Sequence, residues 1–488
     1  MSLTLADFFC GAGGSSTGAL MVPGITLRAA ANHWDRAIET HAVNHPDADH
    51  IHADISQYEP SLFPRTDLGW FSPSCTKHSV AQGKKIHDAQ PDLFGEVLPD
   101  AAAERSRATM WDVVRFTEYH AYEAVIVENV VEVTKWPPYT AWLAAMDSLG
   151  YDHQLVMLNS MHAQLLGPGA PQSRDRFYCV FWRKGNRRPD LHHLTRPHAV
   201  CPTCGPVRAM QSWKKPDNTI GKYRSQYVYR CPNVTCRNAI VEPIVRPAAD
   251  IIDWTLEGQR IGDRARPLAD KTMKRIQAGI DRYWAPLLVP VEGRDGKVAR
   301  PTDEPMRTAT ARNETGFTVP CGGTWRTEPA SLADPLPTRT TVETDGLAFL
   351  AQFRERNRLL DPHTEPLTTV VADGAGQMLV RPSDAFIAEL RGGGSTARPV
   401  TDPLATVTAS GNHHGLVARH NEGGTVDIDD VRFRMLEPSE YSRAMDFPAD
   451  YRMLGTRREQ VRLAGNAVTP PAARDLISVV AESLGVVA

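Results

Sequence analysis

Through the first 185 residues, short continuous apolar runs alternate with stretches of helical periodicity. This is the pattern of a parallel α/β sheet whose strands are covered on both faces. LTLADFF, beginning at residue 3, predicts a strand that ends in the turn CGAGGSSTG. EAVIVENV predicts a second buried strand after the amphipathic ATMWDVVRFTEYHAY, and DRFYCVFWR a third, late one. Beyond about residue 186 the texture changes to proline, arginine and threonine, with PLADKTMKRIQAGIDRYW as the main helical exception. Between 303 and 420 four related segments recur, DEPMRTAT, DPLPTRTT, EPLTTVVA and DPLATVTA, with prolines at 305, 335, 366 and 403. Each runs through a polar or glycine-containing turn into an apolar stretch, which describes a β-hairpin-sized unit. Helix and strand character return at FRMLEPSEYSRAMDFPADY. The expected architecture is a doubly wound, Rossmann-like α/β domain made of residues 1–186 and 432–488. A β-rich insert at 187–431 splits it.

The bulk properties narrow the class. At 488 residues the chain can form two or three domains. No apolar run approaches the roughly 18 residues of a membrane span, and MSLTLADFFCGAGG lacks the layout of a secretion signal. A cytoplasmic, membrane-free protein is expected. Eight cysteines in such a chain suggest thiol chemistry or metal rather than a disulfide framework. The net charge of −3 hides an asymmetry: residues 181–240 carry 12 Lys and Arg against two acidic residues, Asp190 and Asp217. A basic block in an otherwise acidic chain suggests a polyanionic partner such as nucleic acid, or else a solvated cationic surface.

Several short motifs carry candidate chemistry. In DFFCGAGGSSTGAL, glycines 11, 13 and 14 stand between a strand and a helix, where a backbone can approach a nucleotide-like ligand closely. WFSPSCTKHS sets Cys75 two residues after Pro73 at the end of an apolar run; the thiol is a nucleophile or a small buried hydrophobe. Glu128, in VIVENVVEV, follows a strand at the carboxyl edge where α/β sheets bind ligands, placed either to donate a proton or to start a helix. PQSRDRFY sets Gln172, Arg174 and Arg176 at alternate positions entering a strand, so three donors should share one face. LAGNAVTPPAAR is a glycine-asparagine turn before a C-terminal helix. In the insert, CPTC at 201–204 and CPNVTC at 231–236 pair Cys201 with Cys204 and Cys231 with Cys236, a thiolate set suited to structural tetrahedral zinc over about residues 196–245. The basic residues and tyrosines between them suggest phosphate contact and approach to base edges.

In this order, DFFCGAGG, SPSC, ENV, QSRDR and GNAVTPP resemble the motifs of the DNA (cytosine-5) methyltransferase family. RATMW, LNS at residue 158 and RMLEPSEYSRAMDFPADY add weaker matches. The resemblance covers about residues 1–186 and 432–488, and leaves 187–431 where that family carries its variable target-recognition domain. It implies an S-adenosylmethionine-dependent methyltransferase fold and methyl transfer to carbon 5 of a cytosine flipped out of duplex DNA. It further implies Cys75 as nucleophile, Glu128 at ring nitrogen 3 and the exocyclic amine, and Arg176, with Arg174 close by, orienting the base and supporting the thiolate. For the cofactor it implies Phe9 and Trp34 against the adenine, Gly11 and Gly13 under the methionine part, Asp54 near the adenine amine, and Pro73, Asn466 and Val468 nearby. Ser79, Lys84 and Lys85, in the loop over about 76–103, and Gln172 are the implied DNA contacts. Three departures stand out: His33 where an acidic residue usually holds the ribose, with Asp35 as a substitute, and Ser74 and Thr76 flanking Cys75. The resemblance implies a monomer and leaves open whether it serves restriction, phage self-protection or regulation. A tRNA cytosine-5 methyltransferase shares most of these motifs, and a zinc-containing DNA-binding protein with an inactive methyltransferase domain is the alternative of another class.

Overall fold

The computed structural model describes residues 2–73, 101–268, 270–283, 287–290, 300–301, 315–316, 350–352, 358–360, 377–379, 385–389, 397–407, 414–418 and 428–486. They form two compact units, one of residues 1–246, 405–412 and 437–488, the other of residues 247–404 and 413–436.

The first unit is built on a seven-stranded sheet. Its strands are β1 (Leu3–Phe8), β2 (Ile25–Asn32), β3 (Asp49–His52), β4 (Leu68–Phe71), β5 (Ala124–Asn129), β6 (Tyr151–Asn159) and, after the two-residue β7 (Gln172–Ser173), β8 (Asp175–Arg183). The spatial order is β3-β2-β1-β4-β5-β8-β6. The β1–β5 neighbours are parallel, and β8 runs antiparallel to both β5 and β6. The order reverses between β1 and β4, and at such a switch point the diverging connections leave a crevice at the carboxyl edge.

The central strands are continuously apolar because both faces are buried, and alternate side chains enter two different cores. Phe71, Val125, Val127, Phe177, Cys179 and Phe181 face one core, joined there by Met110, Val113 and Phe116 of the helix Ala101–His120 and by Trp142 and Met146 of the helix Tyr139–Ser148. Trp70, Ile126, Tyr178 and Val180 face the other, with Leu476, Ile477 and Val480 of the last helix, Pro470–Ser483. Each such side chain contributes about 1.5–3 kcal/mol on leaving water.

The first helix, α1 (Gly14–Leu20), meets the last one closely enough to require glycine. A Cβ at Gly14 would lie 1.8 Å from the Val468 carbonyl oxygen, and one at Gly18 would lie 2.2 Å from that of Pro470. The final motif therefore folds back onto the first glycine turn although more than 440 residues separate them.

The segment 196–246 was expected to belong to the insert, yet it lies in this first unit. The reason is burial: Tyr223, Tyr227, Tyr229 and Val241 join the same core as Phe177 and Val131.

The second unit contains a five-stranded antiparallel sheet in the order Gln259–Arg260, Arg432–Met435, His414–Ala418, Ala385–Glu389, Ala397–Pro399. The helix Asp270–Tyr283 packs Ile276 and Ile280 against Val417 and Phe433, in agreement with the one long helix read there. Most of the repeated units at 303–420 lie outside the described residues. Among the described residues no helix is long and apolar enough to cross a membrane.

Candidate active site

Antiparallel β8 explains why two motifs distant in sequence meet. Its first residues lie beside the last residues of β5, with Glu128 opposite Tyr178 and Asn129 opposite Phe177. Arg176 thereby comes to the carboxyl edge next to Glu128, and its Nε lies 2.8 Å from Glu128 Oε1. Both side chains are nearly buried, at 12% and 11% exposure, so the pair keeps a narrow opening to solvent. Arg176 also donates to the Asp175 carbonyl at 2.9 Å, which orients the guanidinium.

Asn129, which the sequence analysis did not single out, ties a third motif to this pair. Its Nδ2 donates to the Pro73 carbonyl at 3.3 Å, and its Oδ1 accepts from the Val130 backbone N–H. Pro73 follows β4, the parallel neighbour of β5, so both carboxyl ends stand at one edge. Cys75, Ser79, Lys84 and Lys85 lie outside the described residues, as do Ser74 and Thr76.

The expected convergence of Gln172, Arg174 and Arg176 does not occur. The strand breaks at Arg174, between β7 and β8, so the period of two fails there. Asn159 holds the break: its Oδ1 accepts from the Arg174 N–H at 2.9 Å and its Nδ2 donates to Ser173 Oγ at 3.1 Å. Arg174 is 3% exposed. Its guanidinium donates to the carbonyls of Val407 at 3.0 Å, Gly465 at 3.1 Å and Ala467 at 3.0 Å. It is a tether for the last motif and is not directed at the Glu128 pair. Gln172 is fully buried, with neither side-chain polar atom hydrogen-bonded, so it is not a surface contact for DNA. Arg174→Ala leaves three buried carbonyls without their donor and is expected to cost about 3 kcal/mol or more. Urea unfolding checks this, and an unchanged midpoint would contradict the tether.

Around the carboxyl ends of β1–β3 the expected cofactor residues form an open rim. Phe9 is half-buried and packs against the core at φ 60, a left-handed conformation that L residues adopt at a cost of about 1–3 kcal/mol. Gly11 (φ 54) is the open point of the turn, since a Cβ there would meet nothing nearer than the Asn466 carbonyl at 3.8 Å. Gly13 (φ 83) faces inward, where a Cβ would meet Tyr451 Oη at 2.7 Å and His41 at 2.9 Å. Trp34 is half-buried with the Arg462 guanidinium 4.4 Å over its ring, a cation–π contact that no sequence motif announced. Asp54 is exposed and accepts from the Ser56 N–H at 3.2 Å. Asn466 is exposed, whereas Val468 is buried and presents its carbonyl to Gly14. His33 is exposed; beside it Asp35 accepts from the Arg36 N–H at 2.7 Å.

Beneath the turn, Asp7 accepts from Ser15 Oγ at 2.5 Å and Ser16 Oγ at 2.6 Å, and Ser16 also pairs with His41 Nε2 at 2.9 Å. Burial pushes the Asp7 carboxyl up to about 6, against the two serine donors. The same desolvation holds His41 well below the usual histidine range.

The sequence profile of the C-5 cytosine-specific DNA methylases matches residues 3–220 and 363–482, more than half of the chain. The chain belongs to that family. Solved structures that align with this methylase include a DNA modification methyltransferase encoded within an E. coli prophage, 15% identical, with 99% of each chain covered and a TM-score of 0.46. The Spodoptera frugiperda DNMT2 is 13% identical over 98% of this chain and 99% of its own, at TM-score 0.49. The S. pombe Dnmt2 methyltransferase is 13% identical over 99% and 100%, at 0.45. No curated protein sequence matches the enzyme.

The rim suits the S-adenosylmethionine expected of the family. Phe9 and Trp34 offer ring surfaces for a purine, Asp54 a carboxylate for its amine, and Gly11 an unobstructed backbone. Its ribose end offers no carboxylate at His33, only the neighbouring Asp35.

The four cysteines come together as expected. The Sγ atoms of Cys201, Cys204, Cys231 and Cys236 all lie within 4.8 Å of one another. Such a spacing lets the four thiolates close on one ion in tetrahedral coordination at about 2.3 Å per bond. The Ala239 N–H pulls the Cys236 thiol down to about 7. The residues between the thiol pairs differ from expectation. Tyr227 and Tyr229 are fully buried and Tyr223 nearly so, so none of these three rings is free to stack on a base. Arg183, Lys184, Arg187, Arg188, Arg208, Lys214, Lys222, Arg224 and Arg230 of the basic block hold acceptors of this chain itself.

Proposed function

We propose that this chain is a DNA (cytosine-5) methyltransferase acting, as a monomer, on a cytosine flipped out of a specific duplex sequence. The Glu128–Arg176 pair, one residue from the Asn129 bond to the segment leading into Cys75, carries this reading. Carbon 5 of cytosine is too weak a nucleophile to accept a methyl group unaided. In the proposed mechanism the Cys75 thiolate adds to carbon 6, and Glu128 engages the exocyclic amine and places a proton on ring nitrogen 3. Carbon 5 thereby becomes part of an enamine. Arg176 holds Glu128 in place and presents a positive charge to the base oxygen and to the thiolate, which cations favour. S-adenosylmethionine, when bound, supplies the electrophilic methyl group. Phe9, Trp34, Asp54 and the Gly11 backbone would hold it. Loss of the carbon-5 proton then expels Cys75 and restores the ring. Ser79, Lys84 and Lys85 would grip phosphates beside the flipped base, and residues 247–436 would carry much of the sequence recognition. Cys201, Cys204, Cys231 and Cys236 would hold a structural Zn²⁺, since four protein thiolates leave no position open for substrate.

Incubation with methyl-labelled S-adenosylmethionine and either duplex DNA or tRNA tests the substrate. Label is expected in DNA, and label in tRNA alone would overturn the reading. Bisulfite sequencing of DNA from expressing cells then gives the target sequence.

A further inference from the structure

The stretch between the two thiol pairs reaches both segments that carry the Glu128–Arg176 pair. Lys222 Nζ lies 2.6 Å from Glu132 Oε1. Glu132 belongs to the 3₁₀ turn Val131–Lys135, which begins two residues after Asn129. The next residue, Tyr223, donates its backbone N–H to Asp175 Oδ1 at 2.9 Å. Asp175 stands between Arg174 and Arg176, and burial pushes its carboxyl up to about 6 against this N–H. One residue therefore braces the turn after Glu128, and its neighbour braces the strand entry that bears Arg176.

Lys222 and Tyr223 are in turn fixed to the strand that leads into Cys231. The Arg224 N–H bonds to the Tyr227 carbonyl at 2.8 Å and the Lys222 N–H to Gln226 Oε1 at 2.8 Å. The strand Tyr227–Arg230 pairs with Met210–Trp213 and runs directly into Cys231. His162 lies edge-on between Tyr223 and Tyr229, with ring centroids 4.6 and 4.9 Å away.

We propose that the four-cysteine module is a positioning element for catalysis: metal at its thiols fixes the strand ending at Cys231, which holds Lys222 and Tyr223 against Glu132 and Asp175 and so sets the Glu128–Arg176 pair. This rests on the reading of that pair as catalytic. A module that reads DNA would leave its rings and cations free, whereas here the tyrosines are buried and most of the cations are internally paired.

The test uses the full-length enzyme with Lys222→Met, with Lys222→Arg as charge rescue, and with Arg28→Met, an exposed cation of β2 outside the module, as control. Lys222→Met is expected to lower kcat by about 10- to 100-fold, the scale of a small misplacement of catalytic groups, without change in KM for duplex DNA. Lys222→Arg should restore most of the rate, and Arg28→Met should change neither constant. Amide hydrogen exchange over residues 128–135 and 173–178 gives a readout independent of turnover. It should accelerate in Lys222→Met and on removal of zinc by a chelator. A raised KM with unchanged kcat would make the module a DNA grip, and unchanged exchange after both perturbations would overturn the coupling. If the parent enzyme methylates no DNA, the functional reading fails while the exchange result still decides whether the module sets the pair.

Discussion

Cys75→Ala is expected to abolish methyl transfer, by at least about 10⁴-fold, the scale seen when a covalent nucleophile is removed. The loss should fall on kcat, because the thiol acts only once the base is in place. Binding of duplex DNA and of S-adenosylmethionine should persist. The decisive measurement uses DNA with 5-fluorocytosine at the target position. After methyl transfer, carbon 5 of that base carries fluorine in place of the proton whose loss would expel the thiol, so the parent enzyme should remain covalently joined to DNA on a denaturing gel. Cys75→Ala should form no such adduct. A variant that still transfers methyl at the parent's rate would remove Cys75 from the mechanism and favour another nucleophile. The Asn129 bond to the Pro73 carbonyl gives a companion expectation. Asn129 touches no reacting atom in this scheme, so Asn129→Ala should lower kcat by less than Cys75→Ala does, through loss of registration between the two strand ends.

Much of the catalytic sheet was legible because its central strands are buried on both faces and appear as unbroken apolar runs. LTLADF, AVIVEN and DRFYCVFWR all became strands where periodicity placed them. Strand direction was not legible, since alternation of side chains is the same in either sense. The meeting of Arg176 with Glu128 depends on that antiparallel direction. The three alternating donors of QSRDR failed as a single face for a local reason: Asn159 pins a break in the strand at Arg174, and the freed guanidinium turns to three distant carbonyls. The tyrosines near the second thiol pair misled in another way. Basic and aromatic residues interleaved in sequence resemble a nucleic-acid surface, yet Tyr227, Val228 and Tyr229 are successive residues of one strand and all three are buried. That short unbroken apolar run was the overlooked signal. The four thiols were legible because paired cysteines on short turns leave few other arrangements.

Glu128→Gln tests the half of the chemistry that geometry describes most directly. The substitution keeps the shape and one acceptor oxygen but removes the charge that pairs with Arg176 at 2.8 Å. If Glu128 delivers or holds the proton at ring nitrogen 3, kcat should fall by about 10²–10⁴-fold, the usual contribution of a positioned acid or base. KM for DNA should change little, because the amide still fills the site. Arg176→Ala should give a loss of similar kind, and the double variant should lose much less than the product of the two single losses, since each residue acts through the other. The pair is nearly buried, so Arg176→Ala, which leaves the Glu128 carboxylate without its partner, is expected to cost about 3–5 kcal/mol of stability, and activity is compared where the variant is folded. Lowered stability with full activity in Glu128→Gln would show that the carboxylate is a structural partner of Arg176 and that proton delivery to the base comes from elsewhere.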